Sequence, residues 1–155
     1  WTFDPLQSRN AYLNIEKLGC VVREYLVNIY PGSASRFNRG LDTDRFVPEW
    51  WVRSERVKDR IAGRGQPTVD EGLRMYAPVL AGEPLREKRV SVEIPSNIDA
   101  VKKKDIEEAK AWRRRTRAAF LALFRAGYTI SGFANGLDGG VRRSLYLLEK
   151  GRIIR

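Results

Sequence analysis

Three stretches of this sequence predict an α/β fold. Residues 89–95 read Arg-Val-Ser-Val-Glu-Ile-Pro, with Val90, Val92 and Ile94 alternating against Ser91 and Glu93, the period of a half-buried strand that a proline stops. Residues 105–126 place Ile106, Ala109, Trp112, Thr116, Phe120 and Leu123 at intervals of three and four, one face of a helix that packs on a sheet. The first twenty residues hold an apolar aromatic run, a stop at Asp4-Pro5, a helical pattern through Ala11, Ile15 and Leu18, and a glycine, Gly19, where a left-handed cap is wanted.

The chain has 155 residues, 43% of them hydrophobic, enough for one globular domain over residues 1–155. Lys and Arg number 29 against 19 Asp and Glu, so the formal charge is +10, which predicts attraction to phosphates, nucleic acid, anionic lipid or acidic cofactors. There is no histidine, which excludes Ser-His-Asp and Cys-His pairs, paired-histidine zinc helices and an imidazole base for this chain alone. Cys20 is the single cysteine, so no internal disulfide forms and a reducing, cytoplasmic setting is expected. The apolar run at residues 118–124 is far shorter than the roughly 20 residues of a spanning helix, so no membrane partner is expected.

In chain order, residues 20–30 carry Val21, Val22, Tyr25, Val27 and Ile29 and read as a strand stopped at Pro31-Gly32. A basic loop over 33–43 leads to a second strand over 45–52, kinked at Pro48, in which alternation lets one of Trp50 and Trp51 enter the core while the other faces a cleft, a partner or solvent, and in the plainer reading both bury apolar area. Residues 54–62 form a short helix with Val57 and Ile61 on one face. Arg60, Gly63 and Gly65 spell Arg-x-x-Gly-x-Gly, a phosphate-loop pattern, but they follow a helix rather than a core strand and run into Gln66-Pro67, so they read as a surface turn. Residues 66–89 read as a long packed connection. In the long helix, Asp105 caps the start, with Glu108 placed for a capping box, and Gly127 follows the end. Lys110, Arg113, Arg114 and Arg117 lie along its solvated flank. A hairpin of residues 128–134 and 144–149 closes the pattern, joined by a loop holding Asn135-Gly136 and Asp138-Gly139-Gly140.

The run Glu16-Lys17-Leu18-Gly19, with Ala11 at a matching helix position, resembles the second conserved block of the GNAT N-acetyltransferase superfamily. In this chain the family's tyrosine falls on Ile15, its asparagine on Ser8 and its terminal aromatic on Cys20. Asp4-Pro5-Leu6-Gln7-Ser8-Arg9-Asn10, Asn38-Arg39-Gly40-Leu41, Thr43-Asp44-Arg45-Phe46 and Glu49-Trp50-Trp51 further resemble a subgroup of predicted acyltransferases within it. The resemblance implies a GNAT-like mixed sheet with packed helices, acetyl-CoA or another acyl-CoA as cosubstrate, a small-molecule amine as acceptor and no metal. It implies Ser8, Arg9, Asn10 and Lys17 on the cofactor side, and Asn38, Asp44, Arg45 and Trp50 as substrate candidates, with Arg45 suited to a bidentate pair with an acidic group. It names no catalytic residue. The family's phosphate-holding signature lies upstream of this block, so the chain is expected to be the C-terminal part of the fold, with an open sheet edge at Trp1 to Phe3 that pairs with a missing half or a second copy. Two alternatives stand beside it: a basic nucleic-acid-binding module using the helix arginines, Arg142, Arg143 and Trp50 or Trp51, and an inactive GNAT-like scaffold, because Ile15 cannot donate a proton.

Overall fold

A computed structural model describes residues 1–32, 40–79, 83 and 85–151. Six strands form one mixed sheet in the order β2-β1-β5-β6-β4-β3. They are β1 (Val21–Leu26), β2 (Arg45–Glu49), β3 (Ala77–Pro78), β4 (Arg89–Ile94), β5 (Tyr128–Asp138) and β6 (Val141–Lys150). All neighbours are antiparallel except β3 and β4. Beyond β2 the sheet is lengthened by one bridge, in which Phe3 and Phe46 exchange backbone hydrogen bonds of 3.1 and 2.8 Å. Strands from both ends of the chain therefore share one sheet.

The helices cover both faces. On β6, Tyr146 and Leu148 join the main core under the long helix α5 (Ile106–Arg125), while Leu145 and Leu147 pack with Val69 of α3 (Val69–Met75) on the other side. Alternation along one strand thus feeds two cores. The main core centres on Phe46, fully buried, whose ring meets those of Phe3, Tyr25, Phe120, Phe124 and Tyr146 at centroid distances of 4.8–5.9 Å. Aromatic pairs of this kind add about 0.5–1.5 kcal/mol each beyond burial of area.

The first helix is short and unusual. α1 (Ser8–Ala11) runs directly into a π-helical stretch, Tyr12–Lys17, closed by Leu18 N–H donating to the Leu13 carbonyl at 3.0 Å. The wider turn brings three consecutive side chains, Asn14, Ile15 and Glu16, inward. Gly19 ends it at φ +76°, and a Cβ there would stand 2.9 Å from the Val57 backbone of α2 (Glu55–Ile61), so glycine is required twice over.

Several expectations need correction. The second strand stops at Glu49, so Trp50 and Trp51 lie beyond the pleat; both stay exposed, at 42% and 40%, and neither enters the core. The first strand ends at Leu26, before Asn28 turns left-handed at φ +45°. Val57 is buried, but Ile61, the last residue of a seven-residue helix, projects past the packed turn and is exposed. The stretch 66–89 contains α3, with a complete Thr68–Glu71 capping box, and the short β3. A further helix, α4 (Ile98–Lys104), starts at the Asn97 cap. The hairpin turn is tighter than expected. Gly139 and Gly140, both at positive φ, make the two-residue loop, and Asn135-Gly136 remains in β5. Arg113 is buried rather than solvated, because the segment before α1 covers that flank of α5. Among the described residues, no helix is long and apolar enough to cross a membrane.

Candidate functional site

Two buried carboxylates organise the polar interior. Asp44, at the entry to β2, is fully buried and accepts from the Tyr25 hydroxyl at 2.5 Å, the Asn28 N–H at 2.9 Å, and Arg117 Nε and Nη2 at 2.8 and 2.7 Å. Burial alone would raise its carboxyl, but the Arg117, Tyr25 and Asn28 donors outweigh it and hold the group below the usual range. Arg113 donates to Asp4 at 2.8 Å, and Arg45 stands 3.8 Å from the same carboxylate. This seam ties α5 to β2 and to the turn that precedes α1.

The residues singled out in the sequence divide among three places. Ser8 is buried; its hydroxyl receives a 2.9 Å bond from Asn135 Nδ2 and lies 3.3 Å from the Ser144 hydroxyl, which in turn meets Ser96 at 3.2 Å. Arg9 and Asn10, one and two residues on, are exposed. Lys17 sits at the other end of the helix, on the order of 13 Å away at 1.5 Å per residue, over the Tyr12 ring at 5.3 Å. Trp50 shares that end, its indole N–H donating to the Leu18 carbonyl at 2.9 Å and its ring meeting Trp1 edge-on at 6.1 Å. Asp44 and Arg45 belong to the seam, where both oxygens of Asp44 are already engaged. Asn38 lies outside the described residues. Ser8, Arg9 and Asn10 therefore stand together, whereas Lys17 and Trp50 are separate from them.

The arginines expected to form a basic face are mostly engaged. Arg117 pairs with Asp42 and Asp44, Lys110 with Glu107, and Arg143 with Glu93 and Asp138. Arg142 donates to Asn135 at 2.9 Å, and Arg114, Arg115 and Arg125 are exposed on α5. The Gly63-Arg64-Gly65 stretch is a turn whose Arg64 and Gly65 carbonyls accept from Arg60, while the N–H groups of Gly63 and Arg64 are spent on the carbonyls of Arg60 and Asp59. Carbonyls, not N–H donors, face the Arg60 guanidinium.

The second carboxylate is Glu16. β1 and β5 pair only at Val22 and Ile130, and β5 then bulges between Ile130 and Gly132. Where the strands separate, Glu16 Oε1 accepts the Phe133 N–H at 2.7 Å, filling the place a neighbouring strand would take. Its Oε2 lies 3.1 Å from Arg60 Nε, but neither atom has the alignment of a hydrogen bond. Here burial wins: the Glu16 carboxyl is raised despite Arg60, the Phe133 N–H and Arg56. Arg56 is occupied at the helix end, donating to the Gly19 carbonyl at 2.9 Å.

Arg60 opens onto a cleft of about 290 Å³ between α2 and the sheet. Arg56, Asp59, Tyr76, Ser131 and Glu149 also line it, and the Tyr76 hydroxyl donates to Glu149 at 3.1 Å. A larger groove, about 580 Å³, runs between α5 and β4, but its walls at Val79, Leu85, Val92, Ala119 and Ala122 are apolar. Cys20, near the cleft's Arg56, is buried, and burial pushes its thiol up to about 11, so it stays protonated and unreactive at neutral pH.

No family model, curated protein or solved structure matches this chain. The site is therefore defined by its own chemistry: a polar cleft holding acids, arginines, a phenol and a hydroxyl on an otherwise packed sheet. Of the cleft residues the sequence singled out Arg60, Gly65 and Pro67, and only as a surface turn. Glu16 lay inside the matched block but off the Ala11, Ile15 and Leu18 stripe, and only the π turn brings it inward. Among the described residues, no group of three or more Cys, Asp or Glu side chains is arranged to hold a metal ion.

Proposed function

We propose that this chain is part of an acyl-CoA-dependent N-acyltransferase, with the polar cleft beside Glu16 as its acceptor side. The observation that carries this is a juxtaposition. The block that resembles the acyltransferases runs from the Phe3 bridge through a turn, a helix and the Gly19 stop into β1, and its Glu16 pairs with Arg60 in the wall of the cleft. In the reaction the amine nitrogen attacks the thioester carbonyl, a C–N bond forms, the C–S bond breaks, and the proton shed by nitrogen is balanced by one taken up by the thiolate. Without histidine, those protons pass through carboxylates, phenols or water. Tyr76 and Glu149, hydrogen-bonded in the cleft, are the proton-handling pair. Ile15 is buried in the core and takes no part.

The test is transfer of labelled acetyl from acetyl-CoA to a panel of amines, by this chain and by the longest natural chain that contains it. Label recovered as amide with the longer chain supports the reading. If that longer chain shows no acetyl-CoA binding and no transfer, the reading is overturned.

A further inference from the structure

We propose that the groove between α5 and β4 binds a single-chain amphiphile with an anionic head, a compound of the fatty-carboxylate class. The inference does not rest on the acyltransferase reading, because it concerns another part of the molecule and its test measures no transfer.

The groove is apolar along most of its length for a structural reason. Val92 joins the main core from β4 and α5 covers that core with Phe120 and Leu123, while Val79, Leu85, Trp112 and Ala119 pack at its margin and stay only partly buried. The core therefore reaches the surface here, in a depression of about 580 Å³, well within the range of small-molecule sites. Its one neutral polar side chain, Thr116, is buried and gives its hydroxyl proton to the Trp112 carbonyl at 2.8 Å. A ligand rich in hydroxyl groups would leave most of them unpaired in such a place, at a cost in free energy.

Charge enters at one end. Arg114 and Arg115 line the groove, are exposed, and make no ion pair with a described residue. Arg115 stands over the Trp112 ring, 4.5 Å from its centroid, which holds a guanidinium beside the apolar wall. Of the two acids in the lining, Glu93 is already bound through both oxygens by Arg143, at 2.9 and 2.8 Å, and Glu83 is the other. Two arginines against one glutamate leave the uncompensated charge positive. Along α5 the arginines precede Ala122 by roughly 11 Å at 1.5 Å per residue, so the cations and the far apolar wall are separated. A carboxylate head meets the guanidinium groups in the forked pairing that arginine favours, and a hydrocarbon tail covers the exposed margin of the core. An inorganic anion would gain nothing from the wall, and a cationic amphiphile would meet like charge.

The experiment is titration calorimetry of this chain with hexanoate, octanoate, decanoate and dodecanoate, each kept below its micelle-forming concentration, and with decanol and decylammonium as head-group controls. The expected result is saturable binding that strengthens about fourfold per methylene until the groove is full, with decanol and decylammonium about tenfold or more weaker than decanoate. Two variants fix the place. Arg114→Gln with Arg115→Gln, both at exposed positions, is expected to lose about tenfold or more for decanoate and to leave decanol unchanged. Ala122→Phe, at an exposed position of the groove wall, is expected to weaken every one of these ligands about tenfold or more by filling the space the tail would take. Arg53→Gln with Arg125→Gln lowers the net charge equally at exposed positions outside the groove and is expected to bind decanoate like the parent. The proposal is overturned if no fatty acid binds, if affinity ignores chain length, or if decanol binds as tightly as decanoate. It is equally overturned if the two double variants lose affinity alike, if the groove variants, shown folded by circular dichroism, bind like the parent, or if the chain adheres to anionic phospholipid vesicles but not to monomeric decanoate.

Discussion

Asp44 and Glu16 are two carboxylates buried in one small protein, and their surroundings push them in opposite directions. Asp44 collects four donors, two of them from Arg117, and is held ionised. Glu16 has one well-made bond, to Phe133, and a misaligned arginine, so burial dominates and its proton is held more tightly. The difference teaches that burial alone does not set the state of an acid; the number and alignment of donors decide it. It also separates a structural seam, complete around Asp44, from the Glu16–Arg60 pair at the cleft wall, which lacks hydrogen-bond alignment.

The largest effect that would sharpen this contrast is loss of Asp44. Asp44→Ala leaves Arg117 and the Tyr25 hydroxyl without their shared acceptor, and the expected cost is about 3–5 kcal/mol in urea unfolding at neutral pH. Glu16→Gln keeps an oxygen for the Phe133 N–H and relieves the burial of the carboxylate, while Arg60 keeps the Arg64 and Gly65 carbonyls, so about 1 kcal/mol or less is expected in the same measurement. If the two variants cost the same, the contrast between seam and cleft fails.

Acid titration sharpens it further, because the signs are opposite. The folded pKa of Asp44 is depressed, so its contribution is present above the ordinary carboxylate value of 3.8 and is lost as pH falls through the lower folded value. The folded pKa of Glu16 is raised, so its contribution is fully present below the ordinary value of 4.5 and is lost as pH rises through the folded value. Unfolding midpoints of the parent relative to Asp44→Asn should therefore fall on acidification, while those relative to Glu16→Gln should rise. Parallel curves would contradict the assignment.

The smallest effects compare two phenols. Tyr25→Phe removes a buried donor to an ionised acid and should cost about 1.5–3 kcal/mol, whereas Tyr76→Phe removes one donor to Glu149 at the cleft and should cost about 0.5–1.5 kcal/mol. Equal losses would mean that the cleft is as rigidly built as the seam.

Much of the fold was legible because its signals are local. The alternation of Val90, Val92 and Ile94, the stripe from Ala109 to Leu123, the Asp105 cap and the left-handed glycines Gly19 and Gly127 all lie where the pattern placed them. Thr68 and Glu71 carried an equally local signal, a capping box, which the prolines around it obscured. The cleft was not legible, since its members come from α2, the turn that follows it, the residue after α3, β5 and β6 and meet only through the sheet.

From the sequence alone came the α/β class, the long helix, the hairpin, the absence of histidine chemistry and the basic charge, because each depends on neighbours within a few turns of chain or on composition. Only the tertiary structure decided that Trp50 stays outside, that Arg113 goes inside, and that Glu16 is buried in the gap between β1 and β5. Each outcome depends on which segment covers a given side chain, and that is set by contacts between residues far apart in sequence: Arg113 with Asp4, and Glu16 with Phe133.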